Sequence, residues 1–277
     1  MDEKEKKNVK AGISFKNSIK TRLIAVMLLV VIVPLGVSLI VSYVNSTSKA
    51  LEDAEKALQW QAKYIATSFS DEIKRNVDVT STVADNPTTI AYMEGTAGIT
   101  DDVMVQMMQS ADNIMADGSL MAIADTTGMQ IVRSSGKCVD VSKRDYFQEA
   151  IKGNKFISNI LVSASTGARQ ITMAVPIKGS DGSITGEVQR NYDLAALHEL
   201  LASNTDDAFV LDRNGIMAAH AQFDIAAEDE YDMNGTVYMS SNEGVLVDKK
   251  TYDKPLIMAY TTDPYTGFKV VVSNVER

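Results

Sequence analysis

The sequence predicts an α+β protein: a transmembrane helix at the N-terminus, a long helix after it, and two tandem antiparallel-sheet modules. Three observations carry this reading. An apolar run without charge fills Leu23 to Val44, an apolar stripe at helical spacing follows over 51–83, and two pairs of strand-like segments recur at an interval of 85 to 87 residues.

The first run holds 22 residues, about 33 Å of helix at 1.5 Å per residue, which is enough to cross the hydrocarbon of a bilayer. Pro34 and Gly36 interrupt it, and membrane helices tolerate both. Residues 1–22 form a basic tail in which Lys4, Lys6, Lys7, Lys10, Lys16, Lys20 and Arg22 stand against Asp2, Glu3 and Glu5. The positive end stays cytoplasmic, so residues 45–277 are expected outside, in a single-pass cell-membrane protein. A cleaved signal peptide is the rival reading. The apolar run is long for one and no small-x-small site closes it, so the segment reads as a retained anchor.

After the anchor, Leu51, Ala54, Leu58, Ala62, Ile65, Phe69, Ile73, Val77, Thr80 and Val83 recur three or four apart, with Glu52, Lys56, Lys63 and Arg75 between them. This is one face of a long helix over 45–86, stopped by Asp85-Asn86-Pro87. Such a face packs on its own domain, on the same helix of a second copy, or on both; a homodimer is the expected assembly. Residues 101–116 form a second helix with a looser stripe of Val103, Met107, Ile114 and Met115, the methionines serving as core filler.

From residue 119 the period changes. Ser119 to Ala124, the turn Asp125-Thr-Thr-Gly128 and Met129 to Arg133 read as strand, tight turn, strand, and Phe209 to Leu211, Asp212-Arg-Asn-Gly215 and Ile216 to His220 repeat the pattern. Ile171 to Ile177 with Gly186 to Asn191, and Leu256 to Tyr260 with Gly267 to Ser273, form the second echo. Between the copies, Asp193 to Leu201 reads as a linker helix whose N-cap is Asp193.

Composition narrows the function classes. A net charge of −9 argues against nucleic acid as a partner, because phosphate binding requires a basic face. Cys138 is the only cysteine, so no intrachain disulfide forms. His198 and His220 belong to no H-x-x-x-H pair, and no G-x-S-x-G elbow occurs, so no catalytic residues are assigned and no enzyme is expected. The acidic cluster Glu228, Asp229, Glu230 and Asp232 lacks the spacing of a calcium loop. No metal or cofactor is expected. A pilin also joins an apolar N-terminal helix to a globular head, but pilins carry a Glu within that stretch, and a duplicated module is foreign to them.

The ordered motifs carry a family resemblance. Asp140-Val-Ser-Lys-Arg-Asp-Tyr-Phe-Gln-Glu-Ala-Ile-Lys-Gly153 is followed by Ser163-Ala-Ser-Thr-Gly167, Ala174-Val-Pro-Ile177 and Asp181-Gly-Ser-Ile-Thr-Gly186. Over about residues 23–277 the chain resembles the double Cache sensor domain of bacterial methyl-accepting chemotaxis proteins and sensor kinases. The resemblance implies PAS-like modules: a membrane-distal one at 87–195 that holds the ligand, and a linker helix with a membrane-proximal one at 196–277. It also implies a second span, which would begin where the chain ends at Arg277. The function it implies is the ligand-sensing region of a chemoreceptor that signals across the membrane. The alternatives are the sensor of a histidine kinase or diguanylate cyclase, or a stand-alone tethered solute-binding protein.

The resemblance also nominates the binding residues Arg144, Tyr146, Phe147, Ser163, Thr172 and Asn191. In relatives that bind amino acids, an Arg placed like Arg144 grips the ligand carboxylate, and a guanidinium suits that role by offering two parallel donors. The competing reading of Arg144 is a surface pair with Asp140 or Asp145. Tyr146 and Phe147 either line the pocket or seat the following helix, Phe147 being the better core residue. Asn191 stands where those relatives place an Asp for the ligand ammonium, and an amide lacks that negative charge. The expected ligand is therefore a carboxylate without an amine, or another small polar metabolite.

Overall fold

The computed structural model of the chain describes residues 19–248 and 256–274; the basic tail over 1–18 lies outside the described residues. The chain divides into two units, residues 1–54 and 55–277. Helix α1 (Ile19–Ala84, 66 residues) accounts for all the described residues of the first unit and opens the second. Pro34 lies inside it without ending it. Its large apolar side chains from Leu23 to Val44 are exposed, and the helix is long and apolar enough to cross a membrane.

In the second unit, α1 buries Leu58, Ala62, Ile65, Phe69, Ile73, Val77, Thr80 and Val83, the stripe that the spacing predicts. Side chains the size of Phe69 or Ile73 each contribute roughly 1.5–3 kcal/mol when fully buried. This face packs on the chain's own sheets: Phe69 meets Phe268 with ring centroids 5.7 Å apart, and Val83 and Ala84 join the core of the first module. The helix ends before α2 (Pro87–Met93) because Pro87 occupies the first turn of a new helix and Asn86 Oδ1 caps it, accepting from the Thr88 N–H at 2.9 Å.

Helix α3 (Asp101–Met115) departs from expectation. It buries Met104 and Met108, while Val103 and Ile114 are exposed and Met107 and Met115 only half-buried. Apolar doublets at 103–104 and 107–108 permit two phases of the stripe, and packing on the sheet selects the other one.

The first module is a six-stranded antiparallel sheet made of β1 (Leu120–Asp125), β2 (Gln130–Arg133), β3 (Phe156–Ile157), β4 (Leu161–Val162), β5 (Arg169–Lys178) and β6 (Ile184–Asp193). Its order is β2-β1-β6-β5-β3, with β4 also on β5. Helix α4 (Asp145–Ile151) covers one face. Helix α5 (Leu194–Asn204) follows, capped by Asp193 as expected, its carboxylate accepting from the Ala195 N–H at 2.9 Å.

The second module is built from β7 (Ala208–Leu211), β8 (Met217–His220), the short α6 (Val237–Ser240), β9 (Glu243–Asp248), β10 (Leu256–Thr262) and β11 (Lys269–Ser273), in the order β8-β7-β11-β10-β9. The run β2-β1-β6-β5 in the first sheet and β8-β7-β11-β10 in the second are the same topology, which is the repeat seen in the sequence. The turn chemistry repeats as well. Asp125 Oδ1 accepts from the Thr127 and Met129 N–H groups, and Asp212 Oδ1 accepts from those of Asn214 and Ile216.

Candidate functional site

Strands β5 and β6 are buried on both faces, and alternation gives those faces opposite character. Val175, Ile177 and Val188 pack with Met121, Ile123, Val132 and the methionines of α3. The other face carries Gln170, Thr172, Glu187, Gln189 and Asn191, all nearly or fully buried, beneath α4 and the segments around 139–141 and 161–165. Buried polar side chains are costly unless satisfied. Here part of the set is satisfied and part is not.

Asn191 is the hub. Its Oδ1 accepts from Thr172 Oγ1 and Gln170 Nε2, both at 3.0 Å, and from Gln189 Nε2 at 3.3 Å. The amide oxygen is thus taken up by the sheet, and the NH2 group is the part of Asn191 left to offer. Gln130 Oε1 accepts from Arg133 Nη1 at 2.8 Å and from the Val139 N–H at 3.1 Å. Gln130 Nε2 and Gln189 Oε1 are buried with no partner among the described residues.

These residues line one narrow cleft whose free volume, about 10 Å³, has room for a single water-sized sphere, walled by Gln130, Arg133, Arg144, Tyr146, Gln189 and Asn191 together with apolar and serine side chains. Arg144 is the N-cap residue of α4, and its Nη2 donates across the cleft wall to the Val162 carbonyl at 3.2 Å. It pairs with neither Asp140 nor Asp145: those carboxylates accept from the N–H groups of Ser142 and Tyr146, each at 2.8 Å.

Of the residues nominated from sequence, Arg144, Tyr146, Ser163 and Asn191 line the cleft. Thr172 supports it from behind through Asn191. Phe147 does not line it, packing instead with Ala124, Val141, Ala150 and Ala174. Ser163 Oγ lies 3.1 Å from Ser165 Oγ and accepts from the Thr166 N–H at 3.3 Å, so it shapes the turn at the mouth. Sequence reasoning missed Gln130, Arg133, Gln170 and Gln189. The signal for two of them was present as polar residues two apart in strands, Gln170 with Thr172 and Gln189 with Asn191.

Two ionisable groups under α4 are strongly perturbed. Burial pushes the Tyr146 phenol well above its usual range, with the Glu187 carboxylate adding to the effect. Glu187 is fully buried, both its oxygens lack a partner among the described residues, and burial raises its pKa to about 8. It is mostly neutral at pH 7.

The opposite face of the same sheet is held by Arg190, whose guanidinium is fully buried and ion-paired with Asp112 and, at 2.7 Å, Asp117, while Nε donates to Asn76 Oδ1 of α1. In the second module the corresponding interior is filled by the chain itself. Lys269 donates to the Tyr238 and Ser241 carbonyls and lies 5.6 Å from the Tyr260 ring centre, and Tyr238 packs edge-on against Phe209 and Tyr260.

Residues 46–276 match the family model for the Cache domain in its double form, dCache. The chain belongs to the double Cache family. Solved sensor-domain structures share its fold at low identity. The extracellular domain of the putative histidine kinase rpHK1S-Z16 superposes with a TM-score of 0.67 at 16% identity, covering 82% of this chain and 96% of that one. The ligand-binding domain of the Campylobacter jejuni chemoreceptor Tlp3, solved with 4-methylisoleucine, gives 0.65 at 15% identity over 80% of this chain and 91% of that one. The sensor domain of the V. cholerae histidine kinase DctB gives 0.63 at 13% identity, over 81% of this chain and 99% of that one. Among curated proteins none matches the chain.

Proposed function

We propose that this Cache chain is the ligand-sensing region of a membrane-anchored receptor, taking a small solute in the cleft of the first module. The supporting observation is the pair of buried, unpartnered groups in that cleft, Gln130 Nε2 and Gln189 Oε1, beside Arg144, Tyr146, Ser163 and Asn191. A sheet face kept polar at that cost is explained by a ligand that completes its hydrogen bonds. In this reading Leu23 to Val44 is the anchor, residues 1–22 are cytoplasmic, 45–86 is the stalk, 87–195 is the membrane-distal module and 196–277 the linker helix and membrane-proximal module. The face of α1 opposite its buried stripe exposes Trp60 and Tyr64, which suits pairing of two copies.

Binding shifts a receptor between two states only by the difference in its affinity for them. In this fold the cleft wall provides such a difference, because β4 is held by Arg144 while the segment just before it, Ile157 to Ile160, is bonded to the second module. The output is a chemotaxis response. A kinase output is the second reading, favoured by structural likeness to two histidine-kinase sensor domains.

The test is a thermal-shift screen of the full chain in detergent micelles against amino acids, organic acids, amines and purines. At least one compound is expected to raise the melting temperature of the parent and to leave Arg144→Ala unmoved. A compound that stabilises both equally contradicts this placement of the site.

A further inference from the structure

We propose that the cleft is built for a small dicarboxylate, one acid group meeting Arg144 and the other meeting Arg133. This rests on the reading of the cleft as the ligand site and specifies its charge. The cleft lining contains two guanidiniums and no Asp or Glu. A site with that balance is complementary to two negative charges, whereas a zwitterionic α-amino acid would bring an ammonium that meets none.

Arg133 is the deciding residue. It is 6% exposed, at the end of β2 on the polar face, and none of its protein partners carries a charge: Nε donates to the Ser135 carbonyl at 3.0 Å and Nη1 to Gln130 Oε1. Nη2 has no partner among the described residues. The contrast within the same sheet is Arg190, fully buried and met by two carboxylates. Buried cations are ordinarily paired. Arg133 therefore lacks an anion that the protein does not supply, and the cleft is where one can arrive.

Arg144 uses one nitrogen on the Val162 carbonyl, which leaves Nε and Nη1 for a carboxylate. The two guanidiniums come from different elements, the sheet and the start of α4, an arrangement suited to two separate acid groups rather than one phosphoryl group. Asn191 offers its NH2, and Gln130 Nε2 is a second free donor; both suit carboxylate oxygens. Gln189 Oε1 is an acceptor suited to a ligand hydroxyl. Glu187 lies outside the cleft lining, buried and without a partner among the described residues.

The experiment is isothermal titration of the full chain in detergent micelles with succinate, glutarate, butyrate, valerate, phosphoglycolate and L-valine. Succinate or glutarate is expected to bind at least tenfold more tightly than the monocarboxylate of equal length. Arg133→Gln should remove most of that preference while changing monocarboxylate affinity less than threefold, and Arg133→Lys should retain part of it. The parent-chain ratio needs no variant, so a misfolded Arg133→Gln protein leaves the test intact. The inference is overturned if butyrate, valerate, L-valine or phosphoglycolate binds as tightly as the dicarboxylates, or if no acid binds. If L-valine binds and Arg144→Ala abolishes it, the cleft remains the site and only the charge assignment fails. If a dicarboxylate binds Arg133→Gln and Arg144→Ala as tightly as it binds the parent, the cleft itself is the wrong site.

Discussion

Arg213, in the turn between β7 and β8, donates through Nη2 to the carbonyl oxygen of Ile157 in β3, 2.6 Å away and in the other module. The same guanidinium donates to Asn159 Oδ1 and to the Thr266 carbonyl, and lies 5.7 Å from the ring centres of both Phe156 and Phe268. Beside it, Asp212 Oδ2 accepts from the Ile160 N–H at 3.3 Å. The segment gripped in this way runs directly into Leu161 and Ser163 of the cleft wall. A turn of the second module thus holds one side of the polar cleft of the first, and Arg169 returns the link by donating to the Met217 and Ala218 carbonyls of β8.

Removing that grip with Arg213→Ala should loosen the wall. Backbone amides of residues 156–163 are expected to exchange faster in hydrogen-exchange mass spectrometry while those of β6 keep their protection. The stability lost should be about 1–3 kcal/mol in a denaturant titration, the range for losing hydrogen bonds made by a charged group. Equal loosening across both sheets would mean that Arg213 supports the whole fold rather than the wall.

Asp117→Asn should destabilise the chain by roughly 3 kcal/mol, because it leaves part of the charge on buried Arg190 uncompensated. Burial raises the Asp117 pKa, and the Arg190 charge with the Ser119 N–H more than offsets this, leaving it below its ordinary value. The pair therefore contributes its full stability above the unfolded pKa and loses it as pH falls through the lower folded value. Melting temperatures should fall more steeply below pH 4 in the parent than in the variant.

Glu187 has the opposite sign. Its folded pKa, about 8, lies above the model carboxyl value of 4.5, so the unfolded chain ionises first and stability declines as pH rises from there to about 8. Glu187→Gln removes the ionisable group and should stabilise the protein by a few kcal/mol at pH 8 and little at pH 4.5, as roughly expected for a shift of that size. Parallel melting curves for parent and variant from pH 5 to 8 would contradict a buried, uncharged Glu187.

Features set by neighbours in sequence were legible before the fold was known. The α1 stripe from Leu58 to Val83, the Asp193 cap and the paired Asp125 and Asp212 turns all arise from local spacing. Sidedness imposed by packing was not. Val103 and Met104 are both apolar, and only the sheet decides that Met104 is buried. Within the site, Arg144, Tyr146, Ser163 and Asn191 came from motif position, whereas Arg133 was passed over because a lone charge at a strand end gives no sign of being buried without a counter-charge. Phe147 was nominated with its neighbour Tyr146; both joined the core under α4, and of the two only Tyr146 also borders the cleft.

The central claim, that the first module's polar cleft receives the ligand, is tested most directly by hydrogen exchange of the full chain with and without a stabilising compound from the thermal screen. The account predicts added protection concentrated at residues 139–147, 161–165 and 187–191, with the second-module segment 237–247 nearly unchanged. Protection centred on 237–247 and 256–271, with none around Arg144 and Asn191, would contradict it.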